Sequence, residues 1–477
     1  MRSLDQWLEY QARVHPHSID LGLERLCEVL TRLHWRQPNI PVVTVAGTNG
    51  KGSVSAYCAA MLRAAGHRVG VFTSPHLRDY RERIQIHDRW VSAAELVAAF
   101  DRIETARGEV GLTFFEFNTL AALLVFEDAQ LDAWVLEVGM GGRLDAVNVV
   151  DPDVCVVVSV GLDHQEYLGT TLEAIAREKA GIFRSGCAAV LGSRDMPPAV
   201  EQVARSVGAT LKRLGLEFEH TPAAATWSYR SERWLLPALP APALKGATQF
   251  DNAATALAAL EEITTLENAA AHEQGAAVEK VAAIEDRAAT NESITADGRK
   301  TRLRLSATAV AQGLSSVRLT ARFQLIAPAA ANAPAWILDV AHNPAAARVL
   351  AANLRDSPCA ARTLAVCGIL ADKDAAEIAA ALSSCIDAWW CASTDGERGQ
   401  SGAQLAETVR GRVAGTVGHR DSPAAACAAA LDEASGGDRI VVFGSFHTIG
   451  PALDWLEAHD LLPTKPLSEY TAAPRPT

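Results

Sequence analysis

The sequence predicts an α/β protein. It reads as a P-loop-containing domain on a mostly parallel sheet, followed by a smaller C-terminal Rossmann-like α/β domain. Three observations carry this reading. Short β-branched runs of strand length alternate with amphipathic or Ala-rich helical stretches, the pattern of a parallel sheet covered by helices. One such run, Val42–Ala46, leads into the glycine-rich loop Gly47-Thr48-Asn49-Gly50-Lys51-Gly52-Ser53, and a helical pattern follows it. The chain has 477 residues, too many for one ordinary core, and the length prior is ~2–3 domains.

The elements follow in order. Ile19, Leu23, Leu26, Leu30 and Leu33 recur at helical spacing and give an amphipathic opening helix. Pro41 precedes the strand Val42–Ala46; after the glycine loop, residues 54–65 read as a helix. Runs at 69–73, 133–138 and 154–160 read as further buried strands. No Phe, Trp or Tyr occurs from Asp251 to Arg322, and within that span residues 267–303 are rich in Ala, Glu, Asn and Thr. That segment reads as an exposed, partly helical or disordered low-complexity insertion beside a domain boundary. The first domain is therefore expected at 1–310 and the second at 311–477. Strand-like runs resume at 336–340, Thr363–Cys367, 388–391 and 440–443, between Ala-rich helical segments. The tail past residue 462, with four prolines, reads as a poorly ordered end.

Composition narrows the function classes. The net charge of −12 argues against nucleic-acid binding through a basic surface. At 49% hydrophobic and 21% charged the chain is neither disordered nor fibrous. No apolar run approaches the ~18–20 residues that span a bilayer, and the N-terminus MRSLDQWLEYQ lacks a secretory apolar region. The nine cysteines form no CxxC pair and read as buried hydrophobes of a reducing compartment. The expectation is a cytoplasmic monomer that binds small molecules, without nucleic acid or membrane partners.

The glycine loop carries the strongest local chemistry. Its backbone N–H groups can close around phosphate oxygens, the following helix N-terminus favours an anion, and Lys51 adds a point charge. The hydroxyl of Ser53 is placed to reach Mg²⁺. The common P-loop pattern does not fit strictly, because Gly52 stands between Lys51 and Ser53.

The variant spelling resembles the phosphate loop of the Mur-ligase superfamily. Further motifs resemble the folylpolyglutamate synthase/dihydrofolate synthase family: Thr73-Ser74-Pro75-His76-Leu77 with Glu82-Arg83-Ile84, Leu112-Thr113-Phe114-Phe115-Glu116, and Leu136-Glu137-Val138-Gly139-Met140-Gly141-Gly142-Arg143-Leu144-Asp145. Gly161-Leu162-Asp163-His164, Glu178-Lys179-Ala180-Gly181-Ile182, Asp339-Val340-Ala341-His342-Asn343-Pro344 and Gly444-Ser445-Phe446-His447-Thr448 complete an ordered set. The pattern is most similar to the bifunctional bacterial enzymes.

That resemblance implies an ATP-binding first domain and ATP-dependent ligation of L-glutamate to dihydropteroate and to folate glutamate tails, through an acyl phosphate. It implies two Mg²⁺ ions held by Ser53, Ser74, Glu137 and His164, with Lys51, Glu137, His164 and a carbamylated Lys179 in catalysis. ATP contacts would come from Gly47, Thr48, Asn49, Gly50, Lys51, Gly52, Ser53, Asn252, Arg322 and Asp339. The pterin end falls to Asp20, Leu21, Gly22, Thr113, Phe114, Phe115, Glu116, Leu144, Asp145 and Ala146. His342, Ser445 and His447 are expected near glutamate. The chain departs from the family in three places. Thr320-Ala321 replaces Pro-Gly before Arg322, Glu397-Arg398-Gly399 replaces Pro-Arg-Gly, and Val147 replaces a threonine. Two other readings meet objections in the sequence. A muropeptide-type ligase carries an extra N-terminal domain, for which the 46 residues before Gly47 are few. A P-loop nucleotide-binding module without ligase activity would not need the second α/β domain.

Overall fold

The computed structural model describes residues 2–17, 19–223, 225–267, 302–328, 330, 332–357 and 361–462. Its first sheet is built from β1 (Val42–Ala46), β2 (Val69–Phe72), β3 (Ile84–Ile86), β4 (Arg89–Trp90), β5 (Ala133–Glu137), β6 (Val154–Val157), β7 (Ala188–Leu191) and β8 (Thr210–Arg213). The order is β4-β3-β2-β5-β1-β6-β7-β8. The ladder from β2 through β8 is parallel, and β3 and β4 add an antiparallel edge. Every residue of β1 is buried, as expected for a central strand covered on both faces. Its alternate residues feed two cores: Val42 and Ala46 join one layer, Val43 and Val45 the other.

A three-stranded antiparallel meander, β9 (Phe218–Pro222), β10 (Thr226–Ser231) and β11 (Leu235–Pro240), packs Trp227 and Tyr229 into the second of these cores. Short β12 (Thr264–Glu267) then pairs in parallel with β13 (Leu303–Ser306). The ends of the expected insertion are thus joined at the sheet; residues 268–301 themselves lie outside the described residues, as does the tail from 463.

The second sheet holds β14 (Gln324–Ile326), β15 (Ala335–Leu338), β16 (Thr363–Cys367), β17 (Ala388–Ala392), β18 (Thr416–Arg420) and β19 (Arg439–Phe443). Its order is β14-β15-β19-β16-β17-β18, parallel except for β14. Two further apolar layers cover its faces.

The boundary expected at 310/311 falls inside the helix Ala307–Ser316, whose Val310 and Leu314 belong to a first-sheet core. Core membership passes to the second sheet between Val317 and Ala321. Gly313 sets how closely this helix lies on Lys51–Ala64, since a Cβ there would stand 2.6 Å from the Met61 backbone. Gly313→Ala should therefore overpack the contact and destabilise the protein by about 1–3 kcal/mol. Thermal unfolding checks this; an unchanged midpoint would mean the helices part without cost.

Candidate active site

The carboxyl ends of β1, β2, β5, β6, β15 and β19 lead into the loops of one cavity of about 1050 Å³. Every site residue nominated from the sequence lines it. Such convergence is what parallel α/β sheets offer at their carboxyl edge.

The phosphate loop follows β1. Gly50 has a left-handed φ of 88°, and a Cβ there would sit 2.7 Å from Val158 Cγ1 and 2.8 Å from Asn252 Oδ1. Only glycine fits that turn. The helix Lys51–Ala64 starts at once, with no side chain capping its first N–H groups. Those donors and the helix dipole therefore face the cavity as an anion site. The loop is braced from the end of β6: Thr48 N–H donates to Ser159 O at 2.8 Å and Asn49 N–H to Ser159 Oγ at 3.0 Å. Lys51 Nζ folds back to Gly47 O at 3.0 Å, and Lys179 Nζ reaches the same oxygen at 3.2 Å.

Burial shapes the charges here. It pushes the Lys51 ammonium below its ordinary pKa, with the Glu137 charge opposing that shift. It raises the Glu137 carboxyl, against the pull of Lys51, Arg322 and the Ser74 N–H at 3.4 Å. Lys179 is pushed down to about 7 by burial and then by Lys51. His164 falls to about 4, chiefly by burial, so its imidazole is neutral with a free lone pair. Among the described residues no three His, Cys, Asp or Glu side chains gather into a metal cage. The donors at the loop are one carboxylate, Glu137, the hydroxyls of Ser53 and Ser74, and the His164 imidazole. That set fits Mg²⁺, which uses one or two carboxylates and takes its other oxygens from phosphate and water.

Several nominated residues also hold the walls in place. Thr113 caps the helix Phe114–Asp128 in a reciprocal box with Glu116, and Glu116 receives Arg25 Nε at 3.1 Å. Arg25 in turn grips Asp20 at 2.7 Å, closing the Asp20-Leu21-Gly22 turn over the same wall. Asp145 accepts from the N–H groups of Met140 and Val147 at 2.8 and 3.0 Å, and burial raises its carboxyl to about 6. The Phe115 ring lies flat against Gly139, where a Cβ would come within 2.5 Å of Cζ. Asp339 accepts from Phe323 and Ala341 N–H, and the Ser445 hydroxyl donates to Gly368 O at 2.9 Å.

Three further groups belong to the site although the motifs alone gave them no role. Asp163 is the hub between the domains: Lys373 Nζ lies 2.5 Å away, His342 Nε2 3.3 Å and Asn343 Nδ2 3.2 Å. Burial alone would raise its carboxyl, but His342, His164 and Lys373 hold it well below the usual range. Asn343 exchanges two amide hydrogen bonds with Asn49 of the phosphate loop, at 3.0 and 3.2 Å. Arg83, 8% exposed, lines the cavity over the Phe114 ring and donates through Nε to His76 Nδ1 at 2.7 Å. Their places inside the ordered motifs were the available signal; the Asp163 and Asn343 pairings join distant parts of the chain.

Comparison with known proteins defines the class. Residues 45–229 match the Mur ligase middle domain, and residues 321–446 match the Mur ligase glutamate ligase domain. The two domains are therefore those of a Mur ligase. More narrowly, the chain belongs to the dihydrofolate synthase/folylpolyglutamate synthase family. It is 40% identical over 455 residues to the Escherichia coli K12 dihydrofolate synthase/folylpolyglutamate synthase, covering 95% of this chain and 96% of that protein. The Haemophilus influenzae protein of the same name is 34% identical over 461 residues, covering 94% of this chain and 96% of its own. The solved E. coli FolC in complex with DHPP and ADP superposes with a TM-score of 0.82 at 39% identity, over 96% of this chain and 99% of that one. The Yersinia pestis bifunctional enzyme with Mn, AMPPNP and L-glutamate bound gives 0.80 at 38% identity, over 97% and 99%. Among the described residues no helix is long and apolar enough to cross a membrane.

Proposed function

We propose that this chain ligates L-glutamate to dihydropteroate, forming dihydrofolate, and to the glutamate tails of folates, with ATP converted to ADP and phosphate. The observation that carries the reading is the single cavity. It joins a phosphate loop, a buried carboxylate and an aromatic-walled end between two domains. A cytoplasmic monomer acting on small molecules is part of the same reading.

A carboxylate resists amine attack because its carbonyl is resonance-stabilised and anionic. In the proposed sequence an acceptor carboxylate oxygen attacks the γ-phosphorus of ATP, the bond to ADP breaks, and an acyl phosphate forms. The glutamate amine then attacks the acyl carbon, loses its proton, and expels phosphate. The loop Gly47, Thr48, Asn49, Gly50, Lys51, Gly52 and Ser53 holds the triphosphate, and Lys51 offsets charge on the transferring group. Ser53, Ser74, Glu137 and His164 would hold Mg²⁺, which when bound neutralises phosphoryl oxygens. Asn252, Arg322 and Asp339 are assigned to the rest of the nucleotide. The pterin is assigned to the wall of Asp20, Leu21, Gly22, Thr113, Phe114, Phe115, Glu116, Leu144, Asp145 and Ala146. Glutamate enters beside His342, Ser445 and His447. The buried Arg83 cation, facing the cavity beside that wall, is suited to the acceptor carboxylate. The Asp163–Lys373 and Asn49–Asn343 contacts keep the domains together, which excludes water from the acyl phosphate.

Product masses test the reading. With ATP, Mg²⁺ and L-glutamate, a one-glutamate gain on both dihydropteroate and tetrahydrofolate is expected; a gain on one alone would strike out half the assignment.

Lys179 gives a pH prediction. Only the neutral amine adds CO₂, and burial has lowered this ammonium to about 7, so the reactive fraction grows as pH rises through that value. In ¹³C-bicarbonate the protein should show a carbamate resonance that strengthens from about pH 6 to about pH 8. The Lys179→Met protein should lack it. A resonance that survives this substitution, or weakens with rising pH, assigns the carbamate elsewhere.

A further inference from the structure

Between β2 and β3 the chain turns through residues 73–83 along one side of the cavity, which His76 and Arg83 both line. The turn is held from within. Glu82 accepts from the N–H groups of Leu77, Arg78 and Asp79 at 2.7, 3.0 and 2.8 Å. The Thr73 N–H donates to Arg83 O at 2.9 Å. Arg83 leaves this turn as a buried cation, with the Phe114 and Tyr80 ring centres 5.6 and 5.9 Å from its guanidinium carbon. Burial pushes it below its ordinary pKa. Among the described residues its side chain makes one hydrogen bond, to His76, and none to a carboxylate. A buried charge without a counter-ion is costly, so the arrangement is complete only with an anion in the cavity.

The one bond runs from Arg83 Nε–H to His76 Nδ1 at 2.7 Å. An arginine Nε can only donate, so Nδ1 accepts and the neutral ring carries its proton on Nε2. A guanidinium can hold a carboxylate through two parallel bonds across either of two edges: Nε with one Nη, or Nη1 with Nη2. His76 occupies the first edge. The second is left for a ligand: neither Nη bonds to the described residues, and neither is sealed from the cavity. Without the imidazole acceptor, the Nε–H is left unsatisfied and the guanidinium turns it toward the incoming carboxylate. The grip then moves from the end of the fork to its side, and the attacking oxygen moves with it. An in-line attack on phosphorus tolerates little of that displacement.

We propose that His76 is a positioning residue for the acceptor carboxylate: by accepting the Arg83 Nε–H, it fixes the guanidinium so that Nη1 and Nη2 meet that carboxylate end-on. The inference rests on the assignment of Arg83 to the acceptor carboxylate. The probes are dihydropteroate and its carboxamide, which has the same shape without the charge. Both are bound to the full chain by calorimetry, with ADP and Mg²⁺ present so that nothing turns over. The wild type should prefer the carboxylate. His76→Phe and His76→Leu remove the ring nitrogen, and each should shrink the carboxylate/carboxamide affinity ratio about tenfold while ADP binds within about twofold of wild type. His76→Asn puts an amide oxygen where Nδ1 stood and should keep the ratio within about threefold of wild type. A wild-type ratio in either His76→Phe or His76→Leu overturns the proposal. So does an equal loss in His76→Asn, which would mark His76 as packing for the turn alone. Arg83→Met separates the two readings. If it keeps the wild-type ratio, the Arg83 assignment fails; if it loses the ratio while His76→Phe keeps it, the role of His76 alone fails. A wild type without preference for the carboxylate overturns both.

Discussion

Lys51→Met should lower ligation turnover by roughly 10³-fold while leaving the fold intact. Methionine keeps the length of the side chain and removes only its charge. In the ligand-free protein that charge is expensive, because Lys51 is buried deeply enough to depress its pKa. Its Nζ is held by the carbonyls of Gly47 and Thr48 at 3.0 and 3.4 Å, not by a carboxylate at hydrogen-bond distance. Losing a strained cation should cost little stability, so the melting temperature should hold or rise. The transferring phosphoryl group, in contrast, gathers negative charge beside the loop that carries Lys51. Single-turnover rates and thermal unfolding on the same preparation check both halves. Turnover within about tenfold of wild type would remove Lys51 from phosphoryl transfer.

Glu137→Gln should have an effect of similar size through the metal. Glutamine preserves the shape of the β5 end and an acceptor for the Ser74 N–H, now 3.4 Å from Oε2. What it removes is the single acidic ligand of the proposed Mg²⁺ set, and hydroxyls and imidazole alone hold Mg²⁺ poorly. Turnover should fall roughly 10²–10³-fold, and the Mg²⁺ concentration for half-maximal rate should rise. Glu137 is also the largest Coulombic support of the Lys51 ammonium, so the substitution should depress Lys51 further. Activity remaining in the variant should therefore be lost at lower alkaline pH than in wild type, as Lys51 gives up its proton sooner. A Mg²⁺ titration with an unshifted midpoint would take Glu137 out of the metal site.

The sequence made the first sheet's centre legible because buried parallel strands are dense in Val and Ile and because glycines punctuate the turn after β1. Its strand runs overshot the ladders at 73, 138, 158–160 and 339–340. Val138, Val158 and Val340 are buried although they belong to site loops, and periodicity cannot separate a buried loop residue from a strand residue. The helix Leu4–Val14 is signalled by its Ser3–Gln6 capping box, a local cue that apolar periodicity does not register. The meander was missed for a different reason: β10 alternates exposed and buried residues over a short span, with Trp227 and Tyr229 as its only deep anchors. The domain boundary was drawn from composition, whereas Val310 and Leu314 pack with the first sheet. At the site, motif order gathered residues that do line one cavity. It could not show that Asp163 meets Lys373, 210 positions away, nor that Arg83 turns its Nε to His76. The first pairing depends on how two domains meet and the second on the turn between β2 and β3, and local pattern carries no record of either.

In the mechanism proposed above, this cavity activates a carboxylate by phosphorylating it. Dihydropteroate labelled with ¹⁸O in its carboxylate tests it directly, with ATP, Mg²⁺ and L-glutamate supplied to the wild-type chain. If an acyl phosphate forms, one labelled oxygen leaves with each phosphate released, and ADP appears only when the pterin acceptor is present. Unlabelled phosphate, or ADP released at the same rate without the acceptor, would rule out an acyl phosphate in this cavity.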